Sequence, residues 1–552
     1  MKSHICIIFM LLTLPAIGQD IDLKMDRDLY HQIDRMRLKT GGHVKWHSSL
    51  RDYDHDFIHG LTEQMDSLEV SRSEREWISY LSNLTRKDAG VGNSIPTGNI
   101  WDHLYRNPAY FYSNYGKDFH VHLNPLVHFS AGNSSEKDGL LGTNARGLAF
   151  SGSINDIFFF YTDIIETQRR FPAFIDRYID QREAIPQNGF YKPYKSEVFD
   201  FEDGRDYLNS TGYLSIRVTD NVGFQFGHGR HFIGNGYRSV LLGDFSNNYF
   251  YLQADWKFWK IHYRNIWSEL RPRSAIFGGE DDVLPRKYSA THHLSLNFTP
   301  TFNIGLFETV VYHRSDQLEL GYFNPVILYR TVEQSANSPD NVLLGFDLRW
   351  DMWQTISFYG QLVFDEFRFR ELVTDNQGWW GNKYALQVGA QYIDVLGLPD
   401  LDIRLEHNRV RPYTYTHRDS SASYSHFNLP LAHPLGANFH ETVLEIRYQP
   451  FRNFSTVATV VSYVKGEDGA DENWGGDILL PHGSREREFD NKIGQGIENR
   501  VLFMDLSLTY KIFDGLYLDS YLAHRTSERY DRSETIYQMG IRYNMAKRNY
   551  RL

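Results

Sequence analysis

The sequence has almost no cysteine. Among 552 residues there is one, Cys6, and it lies in an N-terminal apolar run, ahead of the point where an export signal would be cut. The chain beyond it has none, which excludes disulfides, thiolate metal sites and cysteine nucleophiles together. A disulfide-free exported chain is not a small stapled scaffold; it suits a large fold stabilised by other means. Long hydrophobic runs are also missing. After the N-terminus no stretch approaches the ~20 apolar residues that a spanning helix needs, so any membrane crossing must be made by strands. Positive charge is short as well. The chain has 58 Lys and Arg against 69 Asp and Glu, a net charge of −11, which speaks against nucleic acid as a partner. Catalytic signatures are lacking too. His440-Glu441 is followed by Thr442, Val443 and Leu444, so it does not complete His-Glu-x-x-His. Gly227-x-Gly229 and Gly234-x-Gly236 fail as Gly-x-Gly-x-x-Gly at Phe232. They read instead as a bend where backbone approaches backbone. The acidic run Glu467–Glu472 lacks EF-hand spacing and reads as a solvated outer loop. The expectation is therefore no catalytic residue, no metal and no cofactor.

What is present is aromatic. Phe, Tyr and Trp make up 15% of the chain, with 37 Phe and 36 Tyr, yet mean hydropathy is only −0.48. A polar chain this rich in aromatics fits a transmembrane barrel, where alternate residues face lipid and aromatic girdles mark both interfaces. Lys2, the apolar run Ile5–Leu14 and the small residues Ala16 and Gly18 read as a cleaved export signal spanning residues 1–18. An uncleaved anchor is the alternative.

Residues 19–117 read as a helical segment, periplasmic or plug-like. Leu29, Ile33 and Met36 fall at helical spacing, as do Ile58, Leu61 and Met65. A flexible leader is the alternative. From residue 118 to 552 the texture has period two. Phe119, Val121, Leu123, Val127 and Phe129 alternate with His120, His122, Asn124 and His128. The last strand is the clearest: Tyr537, Met539, Ile541, Tyr543 and Met545 face one way, and Gln538, Gly540, Arg542 and Asn544 the other. Short turns such as Asp514-Gly515 contrast with long polar connections such as Gly466–Glu498, the asymmetry of an outer-membrane barrel. Strands of about 10 residues, with about 24 residues per strand and connection, give roughly 16 to 18 strands. Because only closure pairs every backbone group in lipid, the last strand should meet one near Phe119–Phe129. The fold class is thus an all-β transmembrane barrel of antiparallel strands with a helical N-terminal segment. A soluble all-β protein is the alternative.

Three separated motifs carry a resemblance. They are Phe224–Phe245, with the sequence FQFGHGRHFIGNGYRSVLLGDF; Gly321–Val326; and Glu406–His417 followed by Leu431–Phe439. In this order they resemble the capsule assembly protein Wzi family, more closely its Bacteroidota branch, which includes RemB-type gliding-motility proteins. The resemblance spans roughly residues 100 to 552. It implies a barrel of about 18 strands and a lectin-like role in holding exported polysaccharide at the cell surface. In the gliding branch it implies an accessory motility role with motility or secretion proteins as partners. The chain departs from the enterobacterial member in a longer N-terminal helical region and longer late loops.

The densest candidate segment is Arg404–His417. If Leu401, Ile403 and Leu405 face lipid, Arg404 and Glu406 face the lumen, and His407 and Arg409 point outward unless the strand has left the membrane. Arg411, Tyr413, Tyr415 and His417 continue the concentration of planar hydrogen-bonding and stacking groups that sugars require. The competing reading is an Arg–Glu ladder that rigidifies the barrel interior. Arg230 and His231, in the glycine-rich bend, are expected to point into the lumen and are further candidates for polysaccharide contact, with a purely structural bend as the competing reading. Asn324-Pro325 is expected to end a strand, and Leu431–Asn438 to be a structured loop folded inward. Trp379-Trp380 reads as an aromatic-girdle anchor or, alternatively, as a carbohydrate-stacking platform. Three functions compete. A polysaccharide-binding barrel predicts a crowded lumen, a diffusion porin an open one, and an outer-membrane hydrolase a Ser–His pair on the outer wall.

Overall fold

The computed structural model describes residues 26–42, 46–51, 53–85 and 104–552, the last apart from 156, 197–200, 275–282, 315–316, 327, 339, 367, 369, 372–376 and 549. The expected export signal and Cys6 lie outside the described residues. Eighteen antiparallel strands close into a barrel. In chain order they are β1 Phe119–Ser134, β2 Lys137–Ile154, β3 Phe158–Arg169, β4 Phe201–Thr219, β5 Val222–Gly229 and β6 Tyr249–Phe258. Next come β7 Ile261–Leu270, β8 Lys287–Thr299, β9 Phe302–Tyr312, β10 Asn341–Met352, β11 Ile356–Glu366 and β12 Lys383–Tyr392. The last six are β13 Leu401–Val410, β14 Phe439–Phe451, β15 Phe454–Glu467, β16 Ile497–Phe513, β17 Leu516–Ser527 and β18 Arg532–Tyr543. Each pairs with the next, and β18 returns to β1 in register from Val127 opposite Tyr543 to Ser134 opposite Ile536. Short strands at Tyr112–Tyr115 and Lys192–Ser196 extend β1 and β4 at the rims.

Strand β10 shows why these residues make a barrel wall. Leu344, Phe346, Leu348 and Trp350 are 39–48% exposed, while Leu343, Asp347, Arg349 and Asp351 between them are buried. Such exposure of large apolar groups is stable only against lipid. The same outward row continues in Leu386 and Val388 of β12, Leu502, Met504 and Leu506 of β16, and Tyr537, Met539 and Ile541 of β18. The last strand stops at Tyr543, short of the expected Met545. Asn544 takes a positive φ of 50°, turning the tail into the lumen, where Met545 is buried.

One rim carries tight turns such as 220–221, 259–260, 300–301, 452–453 and 514–515; the other carries the long connections 170–200, 230–248, 411–438 and 468–496. Short turns mark the periplasmic end. An aromatic girdle sits there: Trp259, Trp353, Phe451 and Phe298 are 78%, 72%, 70% and 63% exposed. In one outer connection, the described residues around 320–325 fold against the wall's outer face. There Trp267 Nε1 donates to the Tyr322 carbonyl (2.9 Å) and Asn265 Nδ2 to the Pro325 carbonyl (3.2 Å). Asn324-Pro325 therefore lies in this flap, just after a 3-10 turn at Leu320–Phe323, and ends no strand. The motif lacks the alternation of a strand because its partners are side chains on the wall.

Helices α1 Arg27–Lys39, α2 His55–Asp66 and α3 Arg72–Leu84 stop the periplasmic end. Asp26 caps α1, and Ser71 with Glu74 forms a capping box on α3. Leu29, Ile33, Met36, Ile58, Leu61, Met65, Ile78 and Leu81 bury together as their shared core. The stripe seen in the sequence is therefore a helix–helix seam. The polar faces are bonded to the barrel. Arg35 pairs with Asp402, Asp394 and Glu74, Asp34 with Arg349, and Arg452 and Lys511 with Glu76.

Candidate functional site

Two groups emerge from the candidate residues. The first is inside the barrel and holds a plug. Connection 230–248 folds into the lumen and lies across the inner faces of β11, β12 and β13. Glu406 is fully buried; its carboxylate accepts from the backbone N–H of Tyr237 (2.6 Å) and Arg238 (3.0 Å), from Asn408 Nδ2 (2.9 Å) and from the Tyr359 hydroxyl (3.0 Å). Gln361 accepts from the Val240 N–H (2.9 Å) and donates to the Ile233 carbonyl (2.9 Å); Gln387 donates to the Arg238 carbonyl (2.9 Å). The loop backbone is pressed so close that a Cβ at Gly234, whose φ is +134°, would meet Gln361 Nε2 at 2.0 Å, and one at Gly236 would meet Glu406 Oε2 at 2.6 Å. The glycine-rich bend thus serves a close approach of backbone to the wall.

Arg230 and His231 belong to this plug. Arg230 donates to the Gln187 carbonyl (2.7 Å), and His231 bridges the Tyr249 hydroxyl (3.0 Å) and Gln253 Oε1 (2.9 Å). Arg404 donates to Gln391 Oε1 (2.8 Å), on the neighbouring strand. Tyr415 reaches down from connection 411–438 and donates its hydroxyl to the Val240 carbonyl (2.6 Å). Leu431–Asn438 is buried over the same loop; Gly243 N–H donates to the Leu431 carbonyl (2.7 Å). The C-terminal tail adds a third layer. Arg551 pairs with Asp505 and donates to the Tyr237 hydroxyl, and Arg525 holds the Leu552 carbonyl (2.9 Å). An apolar core including Phe171, Ile233, Val240, Leu241, Tyr415, Leu431 and Tyr550 runs through what would be a pore in a porin. Between α1 and the inward loop a cavity of about 260 Å³ remains, lined by both signs of charge, among them Arg51, Arg230, Asp244, Asp255, Arg264 and Lys547.

The second group is at the outer end. Trp379 and Trp380 sit just above β12, and both indole N–H groups donate to Glu488 Oε1 (3.1 and 3.0 Å) from connection 468–496. Trp379 is buried, and the Arg485 guanidinium lies 4.2 Å from the centre of the Trp380 ring. The pair is therefore bound into the outer loops and is not the lipid-facing girdle anchor expected; sequence proximity to a polar loop does not reveal which loop closes over an indole. Arg411 donates to the Trp379 carbonyl (3.3 Å), Tyr413 packs edge-on to Trp380, and His417 packs edge-on to His482. Burial holds the His482 imidazole down at about 4, so the ring 4.8 Å from Trp380 is neutral. The bond from Arg485 holds the Glu488 carboxyl below its ordinary range. Arg409 stands apart, exposed on the outer wall as the register required.

Sequence reasoning missed Trp474, Arg485, Arg487 and Glu488. Trp474 repeats the Trp380 arrangement: its indole N–H donates to Glu472 Oε2 (2.7 Å) and Arg487 lies 4.8 Å from its ring centre. The signal was the Arg485-Glu486-Arg487-Glu488 alternation. The loop read as solvated is ordered by Asp468, which accepts from the N–H groups of Trp474 and Asp477 (both 2.6 Å). The outer end thus presents two half-buried indoles, each flanked by a guanidinium and a carboxylate. This chemistry suits a neutral or mixed-charge polyol.

No protein-family model and no curated protein matches the chain. Among solved structures it is similar to Wzi, an outer-membrane protein involved in group 1 capsule assembly in Escherichia coli and described as a carbohydrate-binding β-barrel. Identity is 12%, covering 97% of this chain and 100% of that one, with a TM-score of 0.56. OprD of Pseudomonas aeruginosa matches at 10% identity over 77% of this chain and 94% of its own, TM-score 0.42. OccAB4 of Acinetobacter baumannii matches at 10% over 78% and 98%, TM-score 0.41. The chain is an outer-membrane β-barrel with a Wzi-like fold.

Proposed function

We propose that this protein is a non-enzymatic barrel that holds capsular or exopolysaccharide at its outer loops, with an accessory role in surface motility. The observation that carries the reading is the twin Trp–Arg–Glu arrangement at Trp380 and Trp474. An indole face stacks on the apolar C–H face of a pyranose, while guanidinium and carboxylate take its hydroxyls by charge-assisted hydrogen bonds. The filled lumen supports a surface role over diffusion. In planar bilayers the intact protein is expected to give no stable single-channel steps; a steady ohmic conductance would favour the porin reading.

A deletion strain tests the function directly. Stained cell-associated polysaccharide is expected to fall and spreading on agar to change; if both match the parent strain, the proposal fails. In purified protein the pair Trp380→Ala and Trp474→Ala is expected to weaken binding of the strain's own polysaccharide by about tenfold or more, taking about 1 kcal/mol for each lost ring. The melting of the barrel should not move, because both indoles are half-exposed on loops.

A further inference from the structure

On the lipid-facing side of the wall, away from the tryptophans, the strand register lines up a row of basic groups. Arg409 on β13 lies opposite His440 on β14, His440 opposite Val464 on β15, and Val464 opposite Arg500 on β16. All point outward and are exposed apart from Val464, which is partly buried. Two pairs lower, toward the periplasm, the corresponding row is Leu405, Leu444, Val460 and Met504, the upper edge of the apolar belt. The intervening row is His407, Thr442, Ser462 and Leu502. Four residues of tilted strand separate the basic row from the apolar one by about 10 Å. That height is the headgroup layer of the outer leaflet.

Above the row an open groove of about 560 Å³ is walled by His407, Arg409, Arg411 and His440 and roofed by residues 490–493. Its roof is fixed in place: Asp490 N–H donates to the Gln377 carbonyl (2.8 Å), and Asn491 N–H to the Gly378 carbonyl (2.9 Å). Lys492 joins the lining, and among the described residues Asp490 is the one acidic group in it. Arg500 is occupied by Glu498 at 2.7 Å. Among the described residues no carboxylate pairs with Arg409 or Lys492. Two cations with no carboxylate partner among the described residues, in a preformed groove that opens sideways onto lipid at headgroup height, fit an anionic group attached to a lipid. A soluble polymer would approach from above.

We infer that this groove binds the phosphate-bearing headgroup of an outer-leaflet lipid, with Arg409 and Lys492 holding the phosphate. The site shares no tryptophan with the polysaccharide surface, so the two readings fail separately. The test titrates the full-length protein in detergent micelles with bisphosphorylated lipid A and with the same lipid fully dephosphorylated. The phosphorylated lipid is expected to bind at least about tenfold more tightly, the worth of one or two charge-assisted hydrogen bonds. The double variant Arg409→Ser, Lys492→Ser should lose that preference and Arg409→Lys keep most of it, with polysaccharide binding unchanged in both. Equal binding of the two lipids, or a preference that survives in the double variant, overturns the inference. So does competition by inorganic phosphate at equal concentration, which would make the groove a free-phosphate site. If the double variant loses polysaccharide and not lipid, the groove serves the polymer and the inference is likewise wrong.

Discussion

Replacing Glu406 with alanine is expected to loosen the plug, and combining it with Gln361→Ala to open the barrel. Glu406 sits at the centre of the wall contact, and its carboxylate is the acceptor for two backbone N–H groups of the inward loop. Those donors are buried. Leaving each unsatisfied costs about 1 to 3 kcal/mol, so the single substitution should cost roughly 3 to 5 kcal/mol with the Asn408 and Tyr359 bonds included. It should appear as a lower temperature for the heat-induced gel shift of the folded barrel. Glu406→Gln keeps one carbonyl acceptor and should lose about half as much. Removing Gln361 as well takes away the grip on Ile233 and Val240. The loop then has little to hold it across the bore, and discrete conductance steps should appear in planar bilayers. A double variant as silent as the parent would mean that the outer loops and tail close the lumen by themselves.

The second large effect concerns the periplasmic end. Arg35 is 1% exposed and lies among four carboxylates: Glu74 at 3.0 Å and Asp400 at 3.4 Å, with Asp394 and Asp402 closer still. His31 also reaches Asp402, at 2.7 Å. Removing one partner of a buried ion cluster costs about 3 to 5 kcal/mol, because the remaining charges stay buried without compensation. Arg35→Ala should therefore release the three-helix cap while the barrel stays closed. Limited proteolysis should cut within residues 40–71 many times faster than in the parent, and the heat-resistant core should survive. Arg35→Lys keeps the charge but cannot fork to three carboxylates, so its cleavage should be intermediate. Equal protection in parent and Arg35→Ala would show that the cap is held by its apolar seam and by Lys39, which also pairs with Glu74 and Asp394.

The wall was legible in the sequence because a strand's two faces alternate every residue. Tyr537, Met539 and Ile541 had to face lipid whatever the rest of the chain did, and the same rule put Arg404 and Glu406 inside and Arg409 outside. The long late loops and the helical spacing of Leu29, Ile33 and Met36 were local as well. The tasks of the inward residues were not. Glu406 meets Tyr237 and Arg238 across nearly 170 positions of sequence, and no local period carries that information. Past Val410 the strand ends and alternation has nothing to say. Tyr413 and Tyr415 then take positive φ values of 64° and 71°, sending one ring up to the tryptophans and the other down to the plug. Sequence by itself determined the barrel, its closure and which side each strand residue faces, since those follow from the pleat and from the cost of unpaired backbone in lipid. Only the tertiary structure decided that the lumen is filled, that Trp379 and Trp380 belong to the outer loops, and that Arg409 and Lys492 line one groove. Each of these depends on which distant segments the closed barrel brings within hydrogen-bonding range.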